Sequence, residues 1–345
     1  MTRISRRRRD EEVIILRGEK PSSGAMGPRL EYEDTAETLA MRERLRRINS
    51  HLDQQWIDLR ISDDEFAKLQ RRMSLDYEDE DRDRPFIDFT QRTLVRIFSN
   101  GDWEQGGRFY RGWWQSVPKE CRQHITINDK RACEIDFSTL HPTLLYAVAG
   151  ERLEGDAYDI DLPNIPRKLI KRTFNMMINA PGRINVPDDF AADQVGLDWK
   201  QLQTAIRDRH EAISKFFNSG YGLKLQRTDG DLAERVMLRF IASGHTCLPV
   251  HDSFLVHNGL AAELRTVMVE EFKRLTGYSI RTELIEGYDP ELEAARQQDF
   301  HIEESTDAGL VDDPIGECLE GIGEYAGYEQ RRLDWLSGLN KVGSA

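Results

Sequence analysis

The chain has 345 residues, 39% of them hydrophobic, and a net charge of −13, enough apolar material to bury a core in one large domain or two small ones. No apolar run approaches the roughly 20 residues that cross a bilayer, and the basic start MTRISRRRR has no apolar stretch behind it, so a soluble, cytoplasmic protein with no membrane partner is expected. The negative balance argues at first against a polyanionic partner, but the charge is uneven: arginines crowd the first nine residues, while DYEDEDRDR (76–84) and residues 303–329 are acidic.

In chain order, residues 1–30 read as a basic, flexible arm ending in the Gly/Pro/Ser-containing GEKPSSGAMGP. Residues 31–100 read as a small helical region, with Leu39, Leu45, Ile48, Leu52 and Ile57 at helical spacing and a further helix over FIDFTQRTLVRIF. Residues 101–300 carry the dense motifs and are taken as the main domain; residues 301–345 form an acidic tail with one helix over YEQRRLDWLSGL. Within the main domain, RACEIDF reads as a strand ending at Asp136, followed by a helix capped by Ser138, tolerating Pro142 in its first turn and ended by Gly150. NIPRKLIKRTFNMMINAPG reads as a helix opened by Pro166 and closed by Pro181 and Gly182. Its i, i+4 register sets Arg167, Lys171, Asn175 and Asn179 on one polar face, with Ile170, Phe174 and Met177 behind. The helix DLAERVMLRFIAS leads through Gly244 into LPVHDSFLVH (248–257), a β-hairpin with His251 and Asp252 at its bend, and GLAAELRTVMVEEFKRL is again helical. Strands and helices alternate without a regular βαβ repeat, so the fold class is α+β.

Cys121, Cys133, Cys247 and Cys318 stand apart with no C-x-x-C spacing, which predicts reduced thiols rather than zinc or disulfides. His124, His210, His245 and His257 have no ligand spacing, and Met176 and Met177 suit packing. Trp113 and Trp114, interleaved with arginine in GRFYRGWWQ, fit either stacking on bases or a core.

Two carboxylates on strand ends, Asp136 and Asp252, facing a helix that shows Arg167 and Lys171, suit a site holding two divalent cations, Mg²⁺ or Mn²⁺, beside a triphosphate clamp. That chemistry is nucleotidyl transfer. The same pair of carboxylates could serve a metal-dependent nuclease, and a third reading is a non-catalytic nucleic-acid-binding module.

The wording around these residues resembles the superfamily of family A DNA polymerases and the phage-type and mitochondrial single-subunit RNA polymerases. IDFSTLHP resembles motif A of the palm, RKLIKR motif B and VHDSF motif C. GGRFY (106–110), QSVP (115–118) with Arg122, and QRTDGDLAERVM (226–237) are similar to further segments of those families, in the same order. The resemblance implies a minimal polymerase of phage or mobile-element type, DNA polymerase or primase-like, or else a DNA-directed RNA polymerase. Its palm would be an antiparallel sheet with packed helices, carrying reduced fingers and a thumb-like helical region. It implies that Asp136, Asp252 and the Phe137 carbonyl hold the metals, and that Arg167 and Lys171 hold the triphosphate, with Lys171 donating a proton to pyrophosphate. Asn175, Asn179 and His141 would line the nucleotide site, and Arg108, Gln115, Gln226 and His251 would touch a DNA or RNA template-primer. Asn179 and Ala180 stand where those families carry Tyr-Gly, and His141 stands at the sugar-gate position, so the choice between dNTP and NTP stays open.

Overall fold

A computed structural model describes residues 12–21, 26–75, 87–162, 165–285 and 327–340. The basic first nine residues, the acidic run 76–84 and nearly all of the acidic stretch 303–329 lie outside the described residues.

The fold is α+β, as expected, with two sheets and helices packed around them. The first sheet runs in the order β2 (Arg29–Leu30), β1 (Ile14–Arg17), β4 (Val95–Ser99), β5 (Asp102–Tyr110). β1 lies parallel to β4, and the other pairs are antiparallel. Two expectations are corrected here. Residues 14–17, read as part of a flexible arm, form a strand whose Ile14 and Ile15 are buried. The expected helix over FIDFTQRTLVRIF is instead an irregular approach to β4, where β-branched and aromatic residues pair on both sides. Both errors share a cause: β1 and β4 find their partners about eighty residues apart, beyond any local pattern.

Between those strands come α1 (Ala36–Asp53), β3 (Ile57–Leu59) and α2 (Asp63–Leu75). Leu45, Ile48 and Leu52 of α1 are buried as their spacing predicts, whereas Leu39 is exposed. β3 belongs to the second, wholly antiparallel sheet, ordered β3, β6 (Ile125–Ile127), β7 (Lys130–Phe137), β9 (Ser253–His257), β8 (Leu248–Val250). β10 (Thr282–Leu284) pairs with the end of β7 on the edge opposite β9. The β6–β7 hairpin turns on Asn128 and Asp129, both at positive φ, the two-residue turn that asparagine and aspartate tolerate best.

The helices are α3 (Leu140–Ala149), α4 (Arg167–Asn179), α5 (Ala192–Val195), α6 (Trp199–Arg209), α7 (Gly222–Ala242), α8 (Ala261–Thr276) and α9 (Tyr328–Asn340). α7 starts well before the DLAERVM segment and presses on β5. There a Cβ on Gly230 would lie 2.1 Å from the Gly107 carbonyl oxygen, so only glycine permits the approach. α9 docks by side chains: Arg331 Nε donates to the buried Asp58 of β3 at 2.9 Å, and Tyr328 OH donates to Asp129 at 2.9 Å. Trp113 and Trp114 are core residues, and Trp114 Nε1 donates to the Pro249 carbonyl at 3.0 Å, which rules out the stacking alternative. His210 is fully buried between Tyr146 OH and the Ala157 carbonyl. Cys121, Cys133 and Cys247 are unpaired, and no described helix is long and apolar enough to cross a membrane.

Candidate active site

Strand alternation buries Cys133, Ile135 and Phe137 on one face of β7 and turns Glu134 and Asp136 to the other. Asp136 is the register partner of Ser253 on β9 and of Glu283 on β10. Val250 pairs with Ser253, so His251 and Asp252 are the two turn residues of the β8–β9 hairpin, set beside the end of β7. The Phe137 N–H reaches the Asp252 carbonyl at 3.5 Å. The hairpin is rigidly held: Leu248, Val250, Phe254 and Val256 are buried, and Gln115 Nε2 donates to the carbonyls of Phe109 and Pro249 at 3.0 and 3.2 Å.

Two non-glycine residues flank the carboxylates in the left-handed region. His251 has φ 58° and the β-branched Thr139 has φ 54°. Each costs roughly 1–2 kcal/mol, and such strain concentrates at functional sites. Thr139, not Ser138, occupies the N-cap position of α3, and its side chain makes no cap bond; Ser138 Oγ instead donates to Glu283 at 2.5 Å. Pro142 in the first turn and Gly150 at the end of α3 are as expected.

α4 opens at Pro166 and buries Ile170, Phe174 and Met177. Its opposite face turns Arg167, Lys171, Asn175 and Asn179 into a cavity of about 360 Å³. Asp136, Phe137, His141, Arg108, Gln226, His251 and Asp252 line the same cavity, so three helices, β5, β7 and a hairpin meet there. Gln115 is not among the residues lining this cavity; its amide braces the hairpin through the Phe109 and Pro249 carbonyls. The Phe137 side chain is likewise core, leaving its backbone to the cavity.

The electrostatics are uneven. Burial, and then the neighbouring Asp252, push the Asp136 carboxyl up to about 7, while Lys171 pulls it down. Asp136 Oδ1 is buried with no hydrogen-bond partner. Arg167 is not free: Nε and Nη2 grip Asp156 at 2.6 and 3.0 Å, and the guanidinium lies over the Tyr158 ring at 5.0 Å. Lys171 Nζ lies 5.9 Å from the same ring and has no salt bridge among the described residues. Arg108 Nε donates to the buried Asp229 at 2.5 Å, and Nη2 meets His141 Nε2 at 3.1 Å. Burial, then Arg108, lowers His251.

Tyr158, Asp156, Glu283 and Asp229 were not singled out in the sequence. Asp156 and Tyr158 lie in an irregular loop, and Glu283 acquires its place only through the pairing of β10 with β7. Asp229 carried a signal, since it sits inside QRTDGDLAERVM. Among the described residues no group of three or more His, Cys, Asp or Glu is arranged to hold a metal.

No family model matches the chain, and no curated protein matches it. Among solved structures, the POL domain of Pol1 from M. smegmatis, in complex with DNA primer-template and dNTP, is similar at TM-score 0.39 and 11% identity. The match covers 57% of this chain and 48% of that one, so the chain spans about half the length of its structural neighbour.

Proposed function

We propose that the chain is a template-directed nucleic-acid polymerase of the family A kind, a nucleotidyltransferase that joins nucleoside triphosphates to a 3′ end. The observation that carries this reading is the convergence on one cavity of Asp136 and Asp252, more than a hundred residues apart in sequence, with the polar face of α4 that bears Arg167 and Lys171.

Asp136, Asp252 and the Phe137 carbonyl would hold two divalent cations, Mg²⁺ or Mn²⁺. The orphaned Oδ1 of Asp136 and its raised pKa fit a carboxylate pair suited to positive charge. When bound, such ions neutralise the carboxylates and polarise the phosphoryl oxygens. Lys171, without a salt bridge among the described residues, holds the triphosphate as a point charge and supplies a proton from Nζ to the leaving pyrophosphate. Arg167 keeps its Nε edge on Asp156 and has Nη1 left for a phosphate oxygen. Gln226, Arg108 and His251, which line the same cavity, would contact the template-primer, and His251, whose pKa burial lowers, would lie against the primer terminus without repelling the cations.

Primer extension tests the reading, run with and without a primer, with dNTPs or NTPs, and in Mg²⁺ or Mn²⁺. Incorporation with release of pyrophosphate supports it, and the preferred sugar separates DNA from RNA synthesis. Cleavage of nucleic acid without pyrophosphate would make the chain a metal-dependent phosphodiesterase instead.

A further inference from the structure

Asp229 lies in the middle of α7 and is 2% exposed, on the face that closes against β5 at the Gly230–Gly107 contact. A carboxylate in such a place needs a partner. It has one: Oδ2 accepts from Arg108 Nε at 2.5 Å, a charge-assisted hydrogen bond. The same guanidinium extends Nη2 to His141 Nε2 at 3.1 Å. A guanidinium carries donors and no acceptor, so His141 Nε2 must be the acceptor. Burial and then Arg108 hold the ring neutral, at about 4, so its single proton stands on Nδ1. Nδ1 has no hydrogen-bond partner among the described residues and is not among the buried orphaned atoms, and His141 lines the cavity shared with Asp136 and Asp252. The Nδ1–H is therefore a donor open to that cavity.

We propose that Asp229 is a positioning residue: through Arg108 it fixes His141 as an Nδ1–H donor, and that donor reads an oxygen of the incoming nucleoside triphosphate. The second half rests on the proposed function; the first half does not. The oxygen belongs either to the sugar or to a phosphate. Arg108 is suited to the task because its planar fork serves Asp229 and His141 from fixed directions, which a lysine cannot do. The arrangement joins α7, β5 and α3, so an anchor 121 residues from Arg108 in sequence sets the protonated edge of a ring on a third element.

The test uses the full chain with ¹⁵N-labelled histidine rings, the His141 signals being assigned by their loss in His141→Gln. The wild type is expected to show Nδ1 protonated. In Arg108→Lys, which keeps the charge but loses the fork, the ring is expected to move toward the Nε2–H form. Under the same substitution the KM for nucleotide rises roughly five- to tenfold, the scale of one hydrogen bond, with a smaller change in kcat. Asp229→Asn, which keeps an acceptor for Nε, retains the wild-type tautomer, while Asp229→Leu behaves like Arg108→Lys. If Asp229→Leu does not fold, Arg108→Lys and Asp229→Asn still decide the matter. A KM effect confined to NTPs assigns the oxygen to the 2′-hydroxyl; an equal effect on NTPs and dNTPs assigns it to a group both share, such as a phosphate. A wild-type ring protonated at Nε2, or a tautomer indifferent to Arg108→Lys, overturns the proposal even in a chain that incorporates nucleotides. Tautomer changes as described in a chain that incorporates nothing overturn the proposed function and leave the positioning by Asp229 standing.

Discussion

Asp136 and Asp229 are two carboxylates whose charged form the fold works against, each pushed up to about 7 with burial as the first cause. The Asp136 pKa rises to about 7 in the folded chain, through burial and then Asp252, from an unfolded value near 4. Between those values the folded state binds a proton that the unfolded state does not, so the contribution of Asp136 to stability falls as pH rises from about 4 to 7 and is constant above. Asp136→Asn is expected to reduce that slope, leaving the share of Asp229, and to raise the metal-free Tm at neutral pH by about 1–2 °C, on the order of 1 kcal/mol. It should also abolish both the thermal shift produced by Mg²⁺ and nucleotide incorporation. Differential scanning calorimetry across pH, with and without Mg²⁺, checks the first effects independently of activity; an unchanged slope would overturn the account. Lys171→Ala is expected to slow single-turnover incorporation at saturating nucleotide by about 10²–10⁴-fold, the range of a general acid, and an unchanged rate would remove its assigned role.

At the scale of the element, the β8–β9 hairpin is built for placement over ease. His251 takes the left-handed conformation that a two-residue turn asks of its first position, where glycine would be relaxed. His251→Gly is therefore expected to leave stability unchanged or raise it by up to about 1 kcal/mol, gains in strain being offset by the freer unfolded chain, while incorporation falls. Urea denaturation beside primer extension measures the two sides. The α7–β5 contact has the opposite tolerance: Gly230→Ala should cost about 1–3 kcal/mol, because the methyl has only the Gly107 carbonyl to meet. Legibility in the sequence followed the range of the forces involved. The polar and apolar faces of α4 and the hairpin at 248–257 were readable, because side-chain spacing and turn length are local. Asp136 and Asp252 were readable as strand-end carboxylates, and the resemblance supplied the expectation that they meet. β1 and β4 were misread because their pairing is long-range, and the bonds of the Gln115 amide to the Phe109 and Pro249 carbonyls were out of reach because only the folded chain brings those groups near. The N-cap at Thr139 was misread because Ser138 is drawn away to Glu283, itself positioned by a strand near the end of the main domain.

For the whole molecule, α9 ties residues 327–340 to β3 and to the β6–β7 turn. Asp58 is fully buried and its ionised form depends on Arg331 of α9, with which it also makes a 2.7 Å ion pair through Nη2. Arg331→Met would strand that carboxylate, at a cost of about 3 kcal/mol as for a broken buried pair, whereas Asp58→Asn with Arg331→Met together should recover much of it. Chemical denaturation of the two single variants and the double variant measures the coupling. The central strand β7 has a consequence in time as well as space. Only β6 is its neighbour in sequence; β9 and β10 reach it across more than a hundred residues, so the loop-closure entropy must be met before those pairings form. During synthesis or refolding, the β6–β7 hairpin can close early, but Asp136 has no companion until the chain beyond Asp252 has arrived and docked. The Asp136–Asp252 pair should thus be completed late in folding, and a chain interrupted before that point would carry one of the two carboxylates without the other.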